Sequence, residues 1–149
     1  MNRGDAFAYR APSVLLIEDN PGDVRLLTEA FHELKFKVKF EVARDGAEGL
    51  DFVRRSTEGQ SGSHPDLILL DLNLPKISGH EVLAQLKKDP RTLRIPIIVL
   101  SSSRAESDIS RAYASHANAY LKKPSTLEDL ISAVERIQKF WLETATLPN

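Results

Sequence analysis

Residues 66–79 read DLILLDLNLPKISG. Leu67, Ile68, Leu69 and Leu70 run without a polar break into Asp71, and the turn formers Pro75 and Gly79 follow. A run that is apolar at every position suits a strand buried on both faces, as in a parallel sheet covered by helices. Residues 13–18 (SVLLIE) and 96–101 (PIIVLS) have the same form. Residues 36–43 differ, because Phe36, Val38, Phe40 and Val42 alternate with Lys37, Lys39 and Glu41. That alternation predicts a half-exposed strand whose charges protect a sheet edge. Residues 119–121 form a shorter fifth candidate, closed by Lys122, Lys123 and Pro124.

Helical patterns separate these runs. Residues 21–34 place Val24, Leu27, Ala30, Phe31 and Leu34 at helical spacing, with Asn20 at the N-cap and Pro21 in the first turn. Residues 45–57, 79–88, 104–116 and 126–141 follow, and 59–65 (GQSGSHP from Gly59) read as a flexible connection. The resulting (βα)5 alternation predicts a doubly wound, parallel five-stranded α/β fold. One domain is expected over 13–138, with an N-terminal arm at 1–12 and a C-terminal extension at 139–149.

Bulk composition narrows the function. Among 149 residues, 20 basic and 21 acidic side chains give a net charge of −1. Such a balance leaves no footprint for nonspecific nucleic-acid binding or membrane adhesion. Cysteine is absent, which excludes disulfides and thiolate chemistry. No apolar run approaches the ~20 residues of a bilayer span, and residues 1–12 lack the apolar core of a secretory signal. A cytoplasmic protein is expected.

In wound sheets of this kind, ligands bind beyond the carboxyl ends of the strands. Glu18 and Asp19 follow the first strand, Asp71 the third, Ser101 the fourth and Lys123 the fifth. Three carboxylates, a hydroxyl and an ammonium therefore gather on one rim. Mg²⁺ takes hard oxygen ligands, commonly one or two carboxylates with a phosphate. Glu18 and Asp19 suit that role, joined by Asp71 and the backbone carbonyl of Asn73. A carboxylate such as Asp71 also accepts phosphoryl groups as an acyl phosphate. Lys123 and Ser101 are placed to neutralise and hydrogen-bond the phosphoryl oxygens.

LLIEDNPGDV, LILLDLNLPKISG, IIVLSSS and YLKKP together resemble the receiver domain of bacterial two-component signalling, over roughly 13–138. The resemblance implies a flavodoxin-like sheet in the order 2-1-3-4-5. It also implies phosphorylation of Asp71 by a histidine kinase and Mg²⁺ at Glu18, Asp19, Asp71 and the Asn73 carbonyl, with Mn²⁺ or Ca²⁺ as substitutes. Ser101 becomes the switch hydroxyl, Tyr120 the switch aromatic and Lys123 the phosphate-pairing lysine. A cis Lys123–Pro124 bond is implied too. ED-N-PGDVRLL, RAYASHANAYLKKPSTLEDL and the tail KFWLETATLP resemble the small response regulators that partner bacterial phytochromes. Those regulators imply red-light signalling and a homodimer through the fourth helix, fifth strand, fifth helix and tail.

Simpler roles compete. Ser102 or Ser103 reads as a helix cap, Tyr120 equally as a core aromatic, and Pro75 and Gly79 as turn residues without chemistry. His32, His64, His80 and His116 lack any ligand spacing and read as surface or packing residues. On the fifth helix, Leu127, Leu130, Ile131, Val134, Ile137 and Trp141 share the sheet-facing side, which leaves Phe140 outside. Phe140 is then covered either by the tail or by a second copy. An aspartyl-phosphate hydrolase is the rival enzyme, but it wants a second Asp where Asn73 stands. A decayed receiver would lack site residues that are all present here. After Gln138, the remaining residues are too few for a helix-turn-helix. The expected role is therefore a single-domain response regulator, not an enzyme beyond handling its own phosphoryl group, that signals through protein contacts.

Overall fold

A computed structural model describes residues 11–59 and 64–148, so most of the N-terminal arm and part of the 59–65 connection lie outside the described residues. Five strands, β1 (Ser13–Ile17), β2 (Lys39–Ala43), β3 (Leu67–Leu70), β4 (Ile97–Ser101) and β5 (Ala119–Lys122), form one parallel sheet in the order β2-β1-β3-β4-β5. The helices between and after them are α1 (Pro21–His32), α2 (Gly46–Glu58), α3 (Gly79–Lys88), α4 (Glu106–Ala114) and α5 (Leu127–Ile137). A π-helical segment, Gln138–Thr144, continues α5.

The unbroken apolar runs lie in the centre. β3 and β4 are buried at every position, and so is β1 after Ser13. Alternate residues feed two cores. Leu15, Ile17, Ile68, Leu70, Ile97 and Val99 meet α2, α3 and α4, while Val14, Leu16, Leu67, Leu69, Ile98 and Leu100 meet α1 and α5. β2 and β5 take the edges, as the Phe36–Glu41 alternation predicted for β2. Phe40 of β2 stacks on Phe31 of α1 at 4.7 Å between ring centroids.

Local deviations have local causes. β2 begins at Lys39 rather than Phe36 because its partner β1 begins at Ser13, which pairs with Lys39. The Lys39 N–H already donates to Pro12 O. α4 is shorter than 104–116. Its C-terminal end is closed by His116 in the left-handed region (φ 71°), with the Ala117 N–H donating back to Ala112 O. The regular α-helix under the expected stripe ends at Ile137. Beyond it the turns widen, with the Ala145 N–H reaching Phe140 O, and a 100° period no longer applies. Leu130, Val134 and Ile137 are buried as expected, with Ile131 and Trp141 packed against them. Leu127, placed on the covered side by the same stripe, is instead 43% exposed at the first turn of α5.

Candidate functional site

Backbone hydrogen bonds carry the sheet one residue past its strands and fix the rim. The Glu18 N–H donates to Ala43 O, the Asp71 N–H to Ile17 O and the Lys123 N–H to Ser101 O. Glu18 and Asp71 thus emerge side by side, and carboxylate oxygens of Glu18, Asp19 and Asp71 lie within 4.8 Å of one another. Lys123 enters from β5. Its Nζ donates to Glu18 Oε1 and to Asp23 Oδ2 (2.9 Å), and it stands 3.7 Å from Asp71 Oδ2. Asn73 follows Asp71 by two residues and is exposed in the same turn.

Gly79 is more than a turn residue. A Cβ there would stand 2.2 Å from Asp71 O and 2.5 Å from the Leu72 Cα. Only glycine lets the start of α3 press against the backbone that carries Asp71. The Gly79 N–H donates to Leu72 O and completes that junction.

The electrostatics are crowded. Burial pushes the Glu18 carboxyl up to about 7, against the pull of the Lys123 ammonium, and the neighbouring Asp71 adds to the rise. Burial alone would lower the Lys123 pKa. Its hydrogen bonds to Glu18 and Asp23, with the charge of Asp71, outweigh that and raise it above the ordinary lysine value. A hard divalent cation fits this donor set. The ligands are all oxygen, converge on one point, and include a buried carboxylate whose charge is poorly compensated by the protein alone.

Ser101 is fully buried at the end of β4, and its Oγ accepts from the Ser103 N–H at 3.2 Å. Tyr120 is half-buried against the core on the Val99 side, and its hydroxyl donates to Ser103 O at 2.9 Å. It is therefore both a packing aromatic and a tether to the β4–α4 loop. Ser103 does not cap α4 from the N-cap position, which Ala105 occupies without a side-chain bond. Its hydroxyl accepts from the Ala105 N–H and donates to Asp108. The Lys123–Pro124 bond is trans, against the cis form that the resemblance implied, since no cis bond occurs among the described residues. The lysine stem reaches the carboxylates without that bend. Asp23 lies inside the PGDV stretch but has no role assigned from the sequence. The signal that could have found it is an acid in the first turn of the helix that follows the acidic pair.

An α/β sheet with three carboxylates and a lysine at the carboxyl ends of β1, β3 and β5 defines a class of phosphoryl-accepting switch proteins. The chain matches the response regulator receiver domain over residues 14–135 and belongs to that family. It is a response regulator, whose partner in two-component signalling is a histidine kinase. Similar proteins include the probable methanogenesis regulatory protein FilR2 of Methanothrix harundinacea, 43% identical over 95% of this chain and 92% of the relative. Response regulator Rcp1 of Synechocystis is 43% identical over 91% of this chain and 92% of its own length. A structure of Rcp1 in its Mn²⁺-bound form is similar, with a TM-score of 0.82, 41% identity and coverage of 93% and 99%. The phosphorylated cyanobacterial phytochrome response regulator RcpA superposes with a TM-score of 0.86 at 45% identity, covering 94% of this chain and all of that one. Among the described residues, no helix is long and apolar enough to cross a membrane.

Proposed function

We propose that Asp71 is the phosphoryl acceptor of this chain and that Mg²⁺, replaceable by Mn²⁺ or Ca²⁺, is held by Glu18, Asp19, Asp71 and the Asn73 carbonyl. The observation that carries the reading is the meeting of those carboxylates within 4.8 Å, with Lys123 Nζ at 3.7 Å from Asp71. An Asp71 oxygen attacks the phosphorus of a phosphohistidine. The P–N bond breaks and the imidazole leaves, taking a proton from solvent. A bound cation supplies charge neutralisation for the transferring oxygens. Lys123 exchanges Glu18 for a phosphoryl oxygen, and the Ser101 hydroxyl donates to another. Tyr120 follows the loop that Ser101 anchors. The chain turns over no other substrate. Acetyl phosphate with Mg²⁺ labels the wild type, chelation stops it, and Asp71→Asn takes no label. Full labelling of Asp71→Asn contradicts the assignment.

The kinase is of the phytochrome type, a reading supported by the likeness to RcpA. FilR2 is similar to the same degree as Rcp1, which favours a second reading with a kinase of another input class. Phosphotransfer rates from purified kinases of both kinds decide between them. Residues 13–138 form the switch, which acts in the cytoplasm, and 139–149 serve as an extension for dimerisation. Phe140 is 54% exposed and meets Trp141 edge-on at 5.2 Å, so the tail does not cover it. Tyr113 of α4 and Leu127 of α5 are exposed as well, and these apolar side chains support a two-fold dimer through α4, β5, α5 and the tail. Light scattering then gives about twice the 16.6 kDa chain mass. Phe140→Glu gives a monomer that still labels. A wild type that stays monomeric at high micromolar concentration refutes the dimer.

A further inference from the structure

His80 is a buried histidine that the phosphoryl chemistry does not use. It is the second residue of α3, immediately after Gly79, so it sits on the junction that ties α3 to the Asp71 backbone. Its Nε2 lies 3.1 Å from Asp108 Oδ1 on α4. Its Nδ1 is buried without a hydrogen-bond partner. A proton on Nδ1 would be stranded, and the Nε2 lone pair would then face a carboxylate. The Nε2–H tautomer, donating to Asp108, satisfies the geometry.

From Asp108 the connection returns to the switch loop. The Ser103 hydroxyl donates to Asp108 Oδ2 at 2.5 Å. That bond, followed by the one from His80, holds the Asp108 carboxyl below the usual carboxylate range. Every polar group of Ser103 is engaged. Its N–H donates to Ser101 Oγ, its Oγ also accepts from the Ala105 N–H, and its carbonyl accepts from the Tyr120 hydroxyl. Because Ser101 Oγ serves as an acceptor in that bond, its own proton stays available for a phosphoryl oxygen. Ser103 thus joins the hydroxyl that meets the phosphoryl group to the aromatic that reports it. Asp108 and His80 fix Ser103 to the helix that is itself fixed to Asp71.

We propose that His80, Asp108 and Ser103 form a latch that references the β4–α4 loop to the backbone of the phosphoacceptor, making His80 and Asp108 positioning residues for the switch. The proposal rests on Asp71 as acceptor and Ser101 as its hydroxyl. With the latch intact, a pull on Ser101 passes through Ser103 to Tyr120 and the start of α4. With it broken, the loop absorbs the pull locally. A plain helix cap would stabilise α4 equally in both states and leave the response of Tyr120 unchanged.

The test compares His80→Leu, His80→Gln and Ser103→Ala with the wild type. The Tyr120 ring resonance, assigned with Tyr120→Phe, is followed before and after acetyl phosphate and Mg²⁺. His80→Gln keeps an amide donor near the position of Nε2, and Ser103→Ala is a loop change that spares the core if His80→Leu fails to fold. Label uptake stays within about twofold of wild type in all three. The phosphorylation-linked shift of Tyr120 falls at least about threefold in His80→Leu and Ser103→Ala and recovers in His80→Gln. A full shift in Ser103→Ala, or a His80→Gln no better than His80→Leu, overturns the latch alone. A wild type without label on Asp71 overturns the acceptor assignment, and the latch falls with it.

Discussion

Two lysines, one half-buried and one buried, stand at opposite rims of the sheet and have opposite surroundings. Lys123, at the carboxyl ends of the strands, is enclosed by Glu18, Asp23 and Asp71. Lys87, on the last turn of α3, donates to Leu93 O, Ile95 O and Asn118 Oδ1 near the starts of β4 and β5. The carboxylates raise the pKa of Lys123 despite its burial. Among the described residues Lys87 meets neutral oxygens, and burial pushes it down to about 8. Neutral dipoles suffice to hold a scaffold together. At the other rim, excess negative charge leaves a lysine that can change partners when a more highly charged group arrives.

The largest effect separating the rims is on the metal. Asp19→Ala removes a half-exposed carboxylate and no core packing. Mg²⁺ affinity should fall at least about tenfold and labelling should be lost, with the fold intact. Isothermal titration with parallel circular dichroism checks this. An unchanged titration would move the cation away from the acidic rim.

Removing the lysines themselves comes next. Lys87→Met keeps the stem but strips the donor from three acceptors, so it should destabilise the protein by about 2 kcal/mol in urea unfolding. That loss should be the same with and without Mg²⁺. Lys123→Met leaves Glu18 and Asp71 without their counter-charge, so its loss should shrink when Mg²⁺ is added. Equal responses to Mg²⁺ in the two variants would erase the contrast.

The two rims also differ in a pair of opposed pH slopes. The Glu18 pKa is raised from 4.5 to about 7, so between those values the folded state holds the extra proton. Its contribution is fully present below pH 4.5 and is lost as pH rises through 7. Glu18→Gln, or saturating Mg²⁺, should flatten that slope. Lys87 is lowered from 10.5 to about 8, so the unfolded state holds the proton longer. Stability from this group is present above pH 10.5 and is lost as pH falls through 8. Lys87→Met should remove that second slope and leave the first untouched.

How much was legible in the sequence follows the range of the interactions. The central strands announce themselves because burial on both faces demands apolar residues at every position. Glu18, Asp71 and Ser101 are legible because they stand at the ends of such strands, while Lys123 closes the shorter edge strand β5. The contacts around them were not. The His80–Asp108 pair joins positions 28 residues apart, and Lys123–Asp23 positions 100 apart, with nothing periodic to mark them. Gly79 looked like a turn former because its true constraint is the approach of another segment's backbone. Leu127 fits the apolar stripe of α5, yet it lies in the first turn and stays exposed. The π-helical turns from Gln138 onward change the period itself, which no count at 100° per residue detects.

On the proposed function, the acidic rim receives the phosphoryl group while the opposite rim is scaffold. Lysine side-chain nuclear magnetic resonance, recorded before and after acetyl phosphate with Mg²⁺, tests it most directly, with Lys123→Met and Lys87→Met to assign the signals. The Lys123 resonance should move on phosphorylation, as its ammonium leaves Glu18 for the new anion on Asp71, and the Lys87 resonance should stay in place. A Lys123 signal that does not move while Asp71 carries the label, or a Lys87 signal that moves as far, would contradict it.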